Sequence, residues 1–586
     1  MPQNLQSTYQ IQWQTVEHLK SFIESMKTEK QSVFIRRIKD LENELKKLKK
    51  SKRYGLVWED KPEDVVERCR TELPVLVGAE TKTIENSNGI THILIEWDNY
   101  HALSVLAYTH EKKVDIIYID PPYNTGATDW KYNNDYVDGN DTFRHSKWLS
   151  MMNNRLKIAK KILTENGSLI CAIDENEVST ITLLLQELFP QHEITCITVV
   201  HNPSGVQWKN FSRNNEYALF VYPRWERAIS LEKRSEENAD VRWFINWAKW
   251  NTTNYLRSSW PNSFYPIFVK NNTVVWFWDP CPLDFHPTSS NIVREDGVIE
   301  IYPITINGEE RKWLFSRNSV EEIIQELSIE VNKRSWLYQI IRTKDQLNYK
   351  TVWVDSKYNG KTFWTQLISK IINTSFPFPK SFYLVKECLS AIIHKPNAVI
   401  LDFFAWSWTT WHAVLELNKE DGGNRQFILC TNNENKIAEE VTYPRIRNVI
   451  QGYGNVPGIP ANLRYYRTDF IGMEKSIDDL RKKFMGRCTE MLQIRESCFI
   501  HLQIENENEY FQVFESKETI LAVLYHPYEI VRLQKLADTT KKPIVAYIFS
   551  MGMEIFHEEL SHLSDRLRIE TIPDEILETY KKIFGF

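Results

Sequence analysis

Val114-Asp115-Ile116-Ile117-Tyr118-Ile119-Asp120-Pro121-Pro122-Tyr123-Asn124-Thr125-Gly126 decides how this 586-residue chain is read. The stretch opens as a short apolar run, the pattern of a parallel strand buried on both faces. It stops on a carboxylate and two prolines, which lack the N–H that a central strand needs. Asp120 and Tyr123 are therefore expected just past the carboxyl end of a strand, where open α/β sheets place their ligand crevice. Those residue types suit one chemical task. The exocyclic amine of adenine is a poor nucleophile because its lone pair is delocalised into the ring. Two acceptors that take both of its N–H bonds would draw that pair back onto nitrogen. Asp120 Oδ and the Pro121 carbonyl are the candidates. Pro121 and Pro122 fix the turn and offer no competing N–H. Tyr123 presents a flat face on which an extruded base can stack.

Working outward, Gly89 to Asn99 reads as a strand running into a turn, and Tyr100 to His110 as the helix that leads to the Asp120 strand. Downstream, a helix begins at His145 and carries Trp148, Met151, Met152, Arg155, Ile158, Ala159 and Ile162 along one side. Ser168 to Asp174 reads as a buried strand and Glu177 to Leu188 as a helix. After a long gap, strands over Ala398 to Ala405 and Gln426 to Glu434 repeat the pattern, with helices between and after. The alternation predicts an α/β fold, a doubly wound Rossmann-like sheet. The intervening stretch is rich in Trp, Tyr, Phe, Asn and Arg with little period, and Asn202–Gly205 and Asn210–Asn214 look like loops suited to base readout. The expected division is a helical segment over 1–55, the catalytic half of the core over 56–200, an inserted α+β target-recognition region over 201–375, the cofactor half over 376–464 and a small α/β domain over 465–586. Phe34, Ile38, Leu41, Leu45 and Leu48 give the first segment a short heptad stripe, read as an amphipathic helix laid on a domain, with a dimer contact second.

Hydrophobic residues at 42% and charged residues at 25% are those of a globular protein. The net charge of −5 neither supports nor excludes nucleic acid, whose footprint would be a local patch. Eight scattered cysteines without a C-x-x-C pair predict reduced thiols and a cytoplasmic protein. No signal peptide and no apolar run of about 18 residues is present, so no membrane span is expected. No clustered ligand set predicts a metal, and His145 and His201 read as structural, which disfavours a metal-dependent nuclease.

With these blocks in place, the chain resembles the amino-methylating DNA methyltransferases that use S-adenosylmethionine. The nearest likeness is to the modification subunit of type III restriction–modification systems, from about Tyr54 to the C-terminus. The Asp-Pro-Pro-Tyr block precedes the cofactor block, the β-class order. The resemblance implies double-stranded DNA as substrate and adenine N6 as target, with Asp120, Pro121, Pro122 and Tyr123 catalytic. It implies that the cofactor lies along Asp402, Phe403, Phe404, Ala405, Trp406, Ser407, Trp408, Thr409 and Thr410. Asn432, Asn433 and Glu434 would lie near the ribose, Asp98 would contribute from its turn, and Phe378, Lys380 and Ser381 would close over the cofactor. It further implies a homodimer and an ATP-dependent restriction subunit as partner. Cytosine N4 stays open as the target, as does an RNA or small-molecule substrate.

One departure is conspicuous. The family's loop is Asp-x-Phe-Ala-Gly-Ser-Gly-Thr-Thr-Gly, whereas this chain has Ala405-Trp406-Ser407-Trp408-Thr409-Thr410-Trp411. Trp97 stands where Gly-Asp-Asn is usual, and Trp208 and Trp364 fit the same pattern. Glycines let a backbone pass close under a ligand, whereas each indole demands burial. The chain has 19 glycines and 20 tryptophans, against about 41 glycines at average usage. Either the tryptophans are genuine and the protein is a catalytically silent DNA-binding relative, or a UGA codon read as glycine in the cell has been translated as tryptophan. The second explanation also accounts for the composition.

Overall fold

The computed structural model describes residues 58–585, apart from 88, 126–142, 206–209, 225–226, 234–238, 248–252, 334, 360–364, 373–379, 407–408, 475, 505–507, 550–559 and 561–564. The expected N-terminal helix lies outside the described residues.

Ten strands form the central sheet. In chain order they are β1 (Glu72–Gly78), β2 (Thr91–Glu96), β3 (Val114–Ile119), β4 (Leu163–Ile173), β5 (His192–Val200), β6 (Asn215–Pro223), β7 (Val352–Trp353), β8 (Val399–Asp402), β9 (Gln426–Thr431) and β10 (Asn462–Gly472). Their spatial order is β1-β10-β2-β9-β8-β3-β4-β6-β5-β7. The six from β10 to β4 run parallel. β1 pairs antiparallel with β10, and β6 runs antiparallel to both β4 and β5.

Alternate residues of each central strand serve opposite faces, as period two requires. Ile117 and Ile119 pack with Leu103, Leu106, Met152 and Leu156, which come from α1 (Asn99–Thr109) and α2 (Arg144–Ile162). The same face takes Leu184 and Leu185 of α3 (Val178–Leu188). Ile116 and Tyr118 pack instead with Val385 and Leu389 of α4 (Phe382–Ile392) and Val414 of α5 (Thr409–Asp421). The sheet is thus doubly wound, as the alternation predicts.

Its strands reach past two of the expected boundaries. β6 lies beyond residue 200, and β10 runs across 464. Between β6 and β7 the described residues form a two-stranded ribbon of Leu231–Lys233 with Gln346–Asn348 and two larger antiparallel sheets. One comprises Ile267–Lys270, Thr273–Phe277, Asn291–Val293 and Ile299–Ile301; the other comprises Asp240–Trp243, Leu327–Val331 and Tyr338–Lys344. They enclose their own core of Phe244, Tyr265, Trp313 and Ile340.

At the C-terminus a five-stranded sheet is followed by α6 (Asp574–Phe584), whose Ile576 and Tyr580 share a core with Leu73 and Val75 of β1. The Tyr580 hydroxyl donates to the carbonyl of Pro74, in the middle of that outermost strand. Among the described residues no helix is long and apolar enough to cross a membrane.

One feature of this topology positions the site. The chain leaves β8 towards β9 on one side and leaves β3 towards β4 on the other, while β8 and β3 are neighbours. A crevice opens outside the carboxyl ends of strands at such a reversal. The Leu401↔Ile117 pair sets the register, so Asp402 is one residue beyond it and Asp120 three beyond its partner.

Candidate active site

Beyond β3 the chain turns through Asp120-Pro121-Pro122-Tyr123-Asn124, and buried groups hold that turn from below. Trp148 of α2 donates its Nε1–H to the Pro122 carbonyl at 2.7 Å. Asn124 takes a left-handed φ of 55°, which asparagine tolerates better than most residues, and its side-chain amide donates to Glu177. Glu177 is fully buried and also binds His145 Nδ1 at 2.6 Å.

Above the turn, four polar side chains meet. The Tyr123 hydroxyl donates to Asp120 Oδ1 at 2.8 Å and lies 3.4 Å from Glu216 Oε2. Lys380, at the residue before the N-cap of α4, places its ammonium 3.5 Å from Asp120 Oδ1 and in close contact with Glu216 and the Tyr123 hydroxyl. The same ammonium is 4.5 Å from the centre of the Tyr123 ring, out at its hydroxyl end. Burial pushes the Asp120 carboxyl up to about 6, Lys380 pulls it back and Glu216 pushes it up again. Burial disfavours the Lys380 ammonium, but Asp120 and Glu216 more than offset this, leaving its pKa above that of an ordinary lysine. The ammonium therefore stays charged between two carboxylates.

Across the strand boundary, Asp402 is buried and accepts from the Phe404 N–H at 3.0 Å and the Thr410 hydroxyl at 2.6 Å. Burial pushes its carboxyl up to about 7, and both hydrogen bonds work against that. Asp402 thus ties the start of the loop to the first turn of α5. Phe403 and Phe404 are core residues. The Phe403 carbonyl accepts from Asn99 Nδ2 at 2.8 Å. The Ala405 N–H donates to Cys430 at 3.3 Å, and the Thr409 hydroxyl to the Lys380 carbonyl at 3.4 Å.

The half-buried Trp406 lies across the crevice, its Nε1–H donating to the Asp120 carbonyl at 2.7 Å. Phe378, Ser407 and Trp408 lie outside the described residues.

Other expected residues are engaged in building the frame. Asp98 is the N-cap of α1, accepting from the Tyr100 N–H at 2.8 Å, and pairs with the buried Arg155 at 3.2 Å. Arg155 also pairs with Glu63 at 2.8 Å. Asn433 donates to Glu96 at 2.8 Å, and Glu96, at the end of β2, is further held by Tyr465 at 2.5 Å and Arg467 at 2.9 Å. Asn432 adjoins this cluster and Glu434 begins a short 3₁₀ turn. Ser381 donates to the Lys357 carbonyl at 2.9 Å, holding the segment down rather than facing the crevice.

The structure thus brings Asp120, Tyr123 and Lys380 together with Trp406, and sets Asp98, Asn433 and Ser381 to other tasks. Glu216 and Glu177 were missed by sequence reasoning. A carboxylate inside the apolar run Asn215–Pro223 was the available signal for the first. Among the described residues no group of three His, Cys, Asp or Glu side chains is placed to hold a metal ion.

A family model described as DNA methylase matches residues 114–481, more than half of the chain. The type II methyltransferase M.KpnI of Klebsiella pneumoniae is 29% identical over 378 residues, covering 62% of this chain and 86% of that protein. The Mod subunit of the type III restriction-modification enzyme EcoPI, from Escherichia phage P1, is 28% identical over 414 residues, 62% of this chain and 61% of its own length. The StyLTI Mod subunit of Salmonella typhimurium is 28% identical over 422 residues, 64% of this chain and 58% of its own. The match therefore spans about three fifths of each Mod subunit.

Proposed function

The chain belongs to the DNA methylase family, and on that premise we propose that it methylates the N6 amine of an adenine flipped out of double-stranded DNA, with S-adenosylmethionine as donor. The observation that carries the proposal is the Asp120–Tyr123–Lys380–Glu216 cluster at the carboxyl end of β3, beside the end of β8.

Asp120 Oδ and the Pro121 carbonyl accept the two N–H bonds of the amine and localise its lone pair. The Tyr123 hydroxyl fixes the carboxylate's rotation, Lys380 holds that hydroxyl from the edge of the ring, and the base stacks on a ring face. S-adenosylmethionine, when bound, would supply a sulfonium methyl carbon open to attack by the nitrogen, the C–S bond breaking as the N–C bond forms and the neutral thioether leaving. The nitrogen then carries one proton too many, and Asp120, with a pKa near neutrality, takes it. Catalysis is mainly orientation.

The fit of the cofactor is divided. The strand ends and the Asp402–Thr410 tie form the kind of crevice that takes a nucleoside in open α/β sheets. The Trp406 indole, bonded to the Asp120 carbonyl, fills the approach to it.

Under the same proposal the chain works as the modification subunit beside an ATP-dependent restriction subunit, and as a homodimer. The leading alternative is cytosine N4. Asp before Pro-Pro-Tyr favours adenine.

The test is sequencing of modified bases in DNA from a methylation-deficient host that expresses the chain, in the printed and glycine-loop forms. N6-methyladenine at one fixed sequence is expected. N4-methylcytosine would reassign the base, and unmodified DNA from both forms would sink the proposal. Light scattering of the full chain, alone and with a neighbouring endonuclease gene product, tests the assembly.

A further inference from the structure

Trp336 occupies a position that favours glycine, far from the crevice. The hairpin between Leu327–Val331 and Tyr338–Lys344 closes with Asn332 N–H donating to Leu337 at 3.0 Å and Trp336 N–H donating to Asn332 at 2.9 Å. Trp336 has a φ of 55°, the left-handed position that glycine fills in hairpins of this kind. For a bulky side chain that conformation is a genuine outlier. The residue is 79% exposed, so little burial of the indole offsets this. Among the described residues eight glycines have positive φ, including Gly297, Gly308 and Gly454. Lys112, Asn124, Asn271, Asn272, Lys436 and Ser497 share this φ, so Trp336 sits where the described residues otherwise use glycine, asparagine, serine or lysine and no other aromatic.

Two tryptophans, in the loop after β8 and in the first turn of α5, are misplaced for different physical reasons. Trp411 in the first turn of α5 is fully buried, and its indole N–H has no hydrogen-bond partner. A buried donor left unsatisfied costs about 1–3 kcal/mol. Trp406 lies against the carboxylate-bearing residue that the site needs free. Trp97, directly after β2, has a φ of 159° and is 40% exposed.

Other tryptophans combine full burial with a satisfied indole N–H; Trp406 has such a bond but is only half-buried, and Trp411 is buried without one. Trp148, Trp313 and Trp353 are all buried, and each donates its indole N–H at 2.7 Å to a backbone carbonyl, of Pro122, Tyr265 and Lys350 respectively.

We infer that residues 97, 336, 406, 408 and 411 are glycine in the protein its own cell makes, whereas 148, 313 and 353 are tryptophan. Residues 97 and 408 follow from the sequence pattern, and 336, 406 and 411 from the geometry above. The gene would then carry UGA at the first five positions and UGG at the last three. With glycine at 406 the indole is gone and the approach between the ends of β3 and β8 opens. That consequence and the assignments at 406 and 408 rest on the methyl-transfer reading; those at 336 and 411 do not.

Peptide mass spectrometry of the protein isolated from its own cells tests the assignment. Peptides spanning 97, 336 and 406–411 are expected at glycine mass, and those spanning 148, 313 and 353 at tryptophan mass. Tryptophan mass at 336 and 406 would overturn the inference. A second arm titrates S-adenosylmethionine by calorimetry into two recombinant proteins, the printed sequence and its W97G/W336G/W406G/W408G/W411G variant. Binding by the variant alone is expected. Glycine by mass with no binding by the variant would leave the assignment standing and refute the methyl-transfer reading; equal binding by both proteins would refute the claim that Trp406 blocks the crevice.

Discussion

Lys380 and Glu216 should move the acid limb of the pH–rate profile in opposite directions. Asp120 must be ionised to accept the amine N–H, so activity is present above its pKa and lost as pH falls through it. With that carboxyl at about 6, the limb should be centred near pH 6. The Lys380 ammonium is 3.5 Å from Asp120 Oδ1. At an effective dielectric of about 20, Coulomb's law gives roughly 5 kcal/mol, a ceiling of roughly three and a half pH units. Asp120 is 21% exposed, and Glu216 offsets part of the lysine's charge, so the working shift is smaller. Lys380→Gln should move the limb up by about one to two pH units, and Glu216→Gln should move it down by about one. The double variant should return most of the way, because each charge acts through the other. The assay is single-turnover methyl transfer to unmodified duplex between about pH 5 and 8, at fixed ionic strength, in the chain with glycine in its loop. A merely structural role would lower the plateau and leave the limb in place. Limbs that shift the same way, or not at all, would refute the electrostatic account.

Other outcomes follow from the same geometry. Asp120→Asn should abolish transfer yet keep DNA binding, measured by gel shift. It should also raise stability at neutral pH by about 2–3 kcal/mol, because a carboxyl whose folded pKa is raised above its unfolded value destabilises the fold once pH exceeds the folded pKa. Denaturant midpoints near pH 7 and pH 4 check the sign, since the gain should vanish at the lower pH. Glu177→Gln exchanges the shared acceptor beneath Asn124 for an amide and should cost about 1–3 kcal/mol of stability together with most of the turnover. Trp148→Phe removes the bond to the Pro122 carbonyl and should cost about 1 kcal/mol, with turnover falling more than DNA affinity. Arg155→Met leaves Glu63 and Asp98 without their cation and should destabilise by about 3–5 kcal/mol in a melting experiment.

The catalytic corner was legible because its signals are local. An apolar run, an acid and two prolines state in one short stretch where a strand ends, and β8 and β9 announced themselves likewise. What stayed hidden depends on partners far along the chain. Glu216 owes its place to a lysine 164 residues away, and no period in Asn215–Pro223 reports that contact. Lys380 was expected over the cofactor, but the ammonium turns to the two carboxylates because a buried cation goes where its countercharges are. Asp98 was assigned by likeness alone. A local signal was present, since Asp followed by a helical run is an N-cap pattern, and the N-cap is what it forms. The boundary at 200 fell short because β6 doubles back antiparallel, a return that strand–helix alternation does not encode.

The outermost strand, β1, has a practical consequence for anyone shortening this chain. A sheet margin with unmet N–H and C=O groups is a template for pairing with another molecule. Here Pro74 removes one donor from that margin and the Tyr580 hydroxyl takes up its carbonyl. A version ending before residue 573 would uncover Leu73 and Val75 together with that carbonyl, and should associate edge to edge rather than remain dispersed.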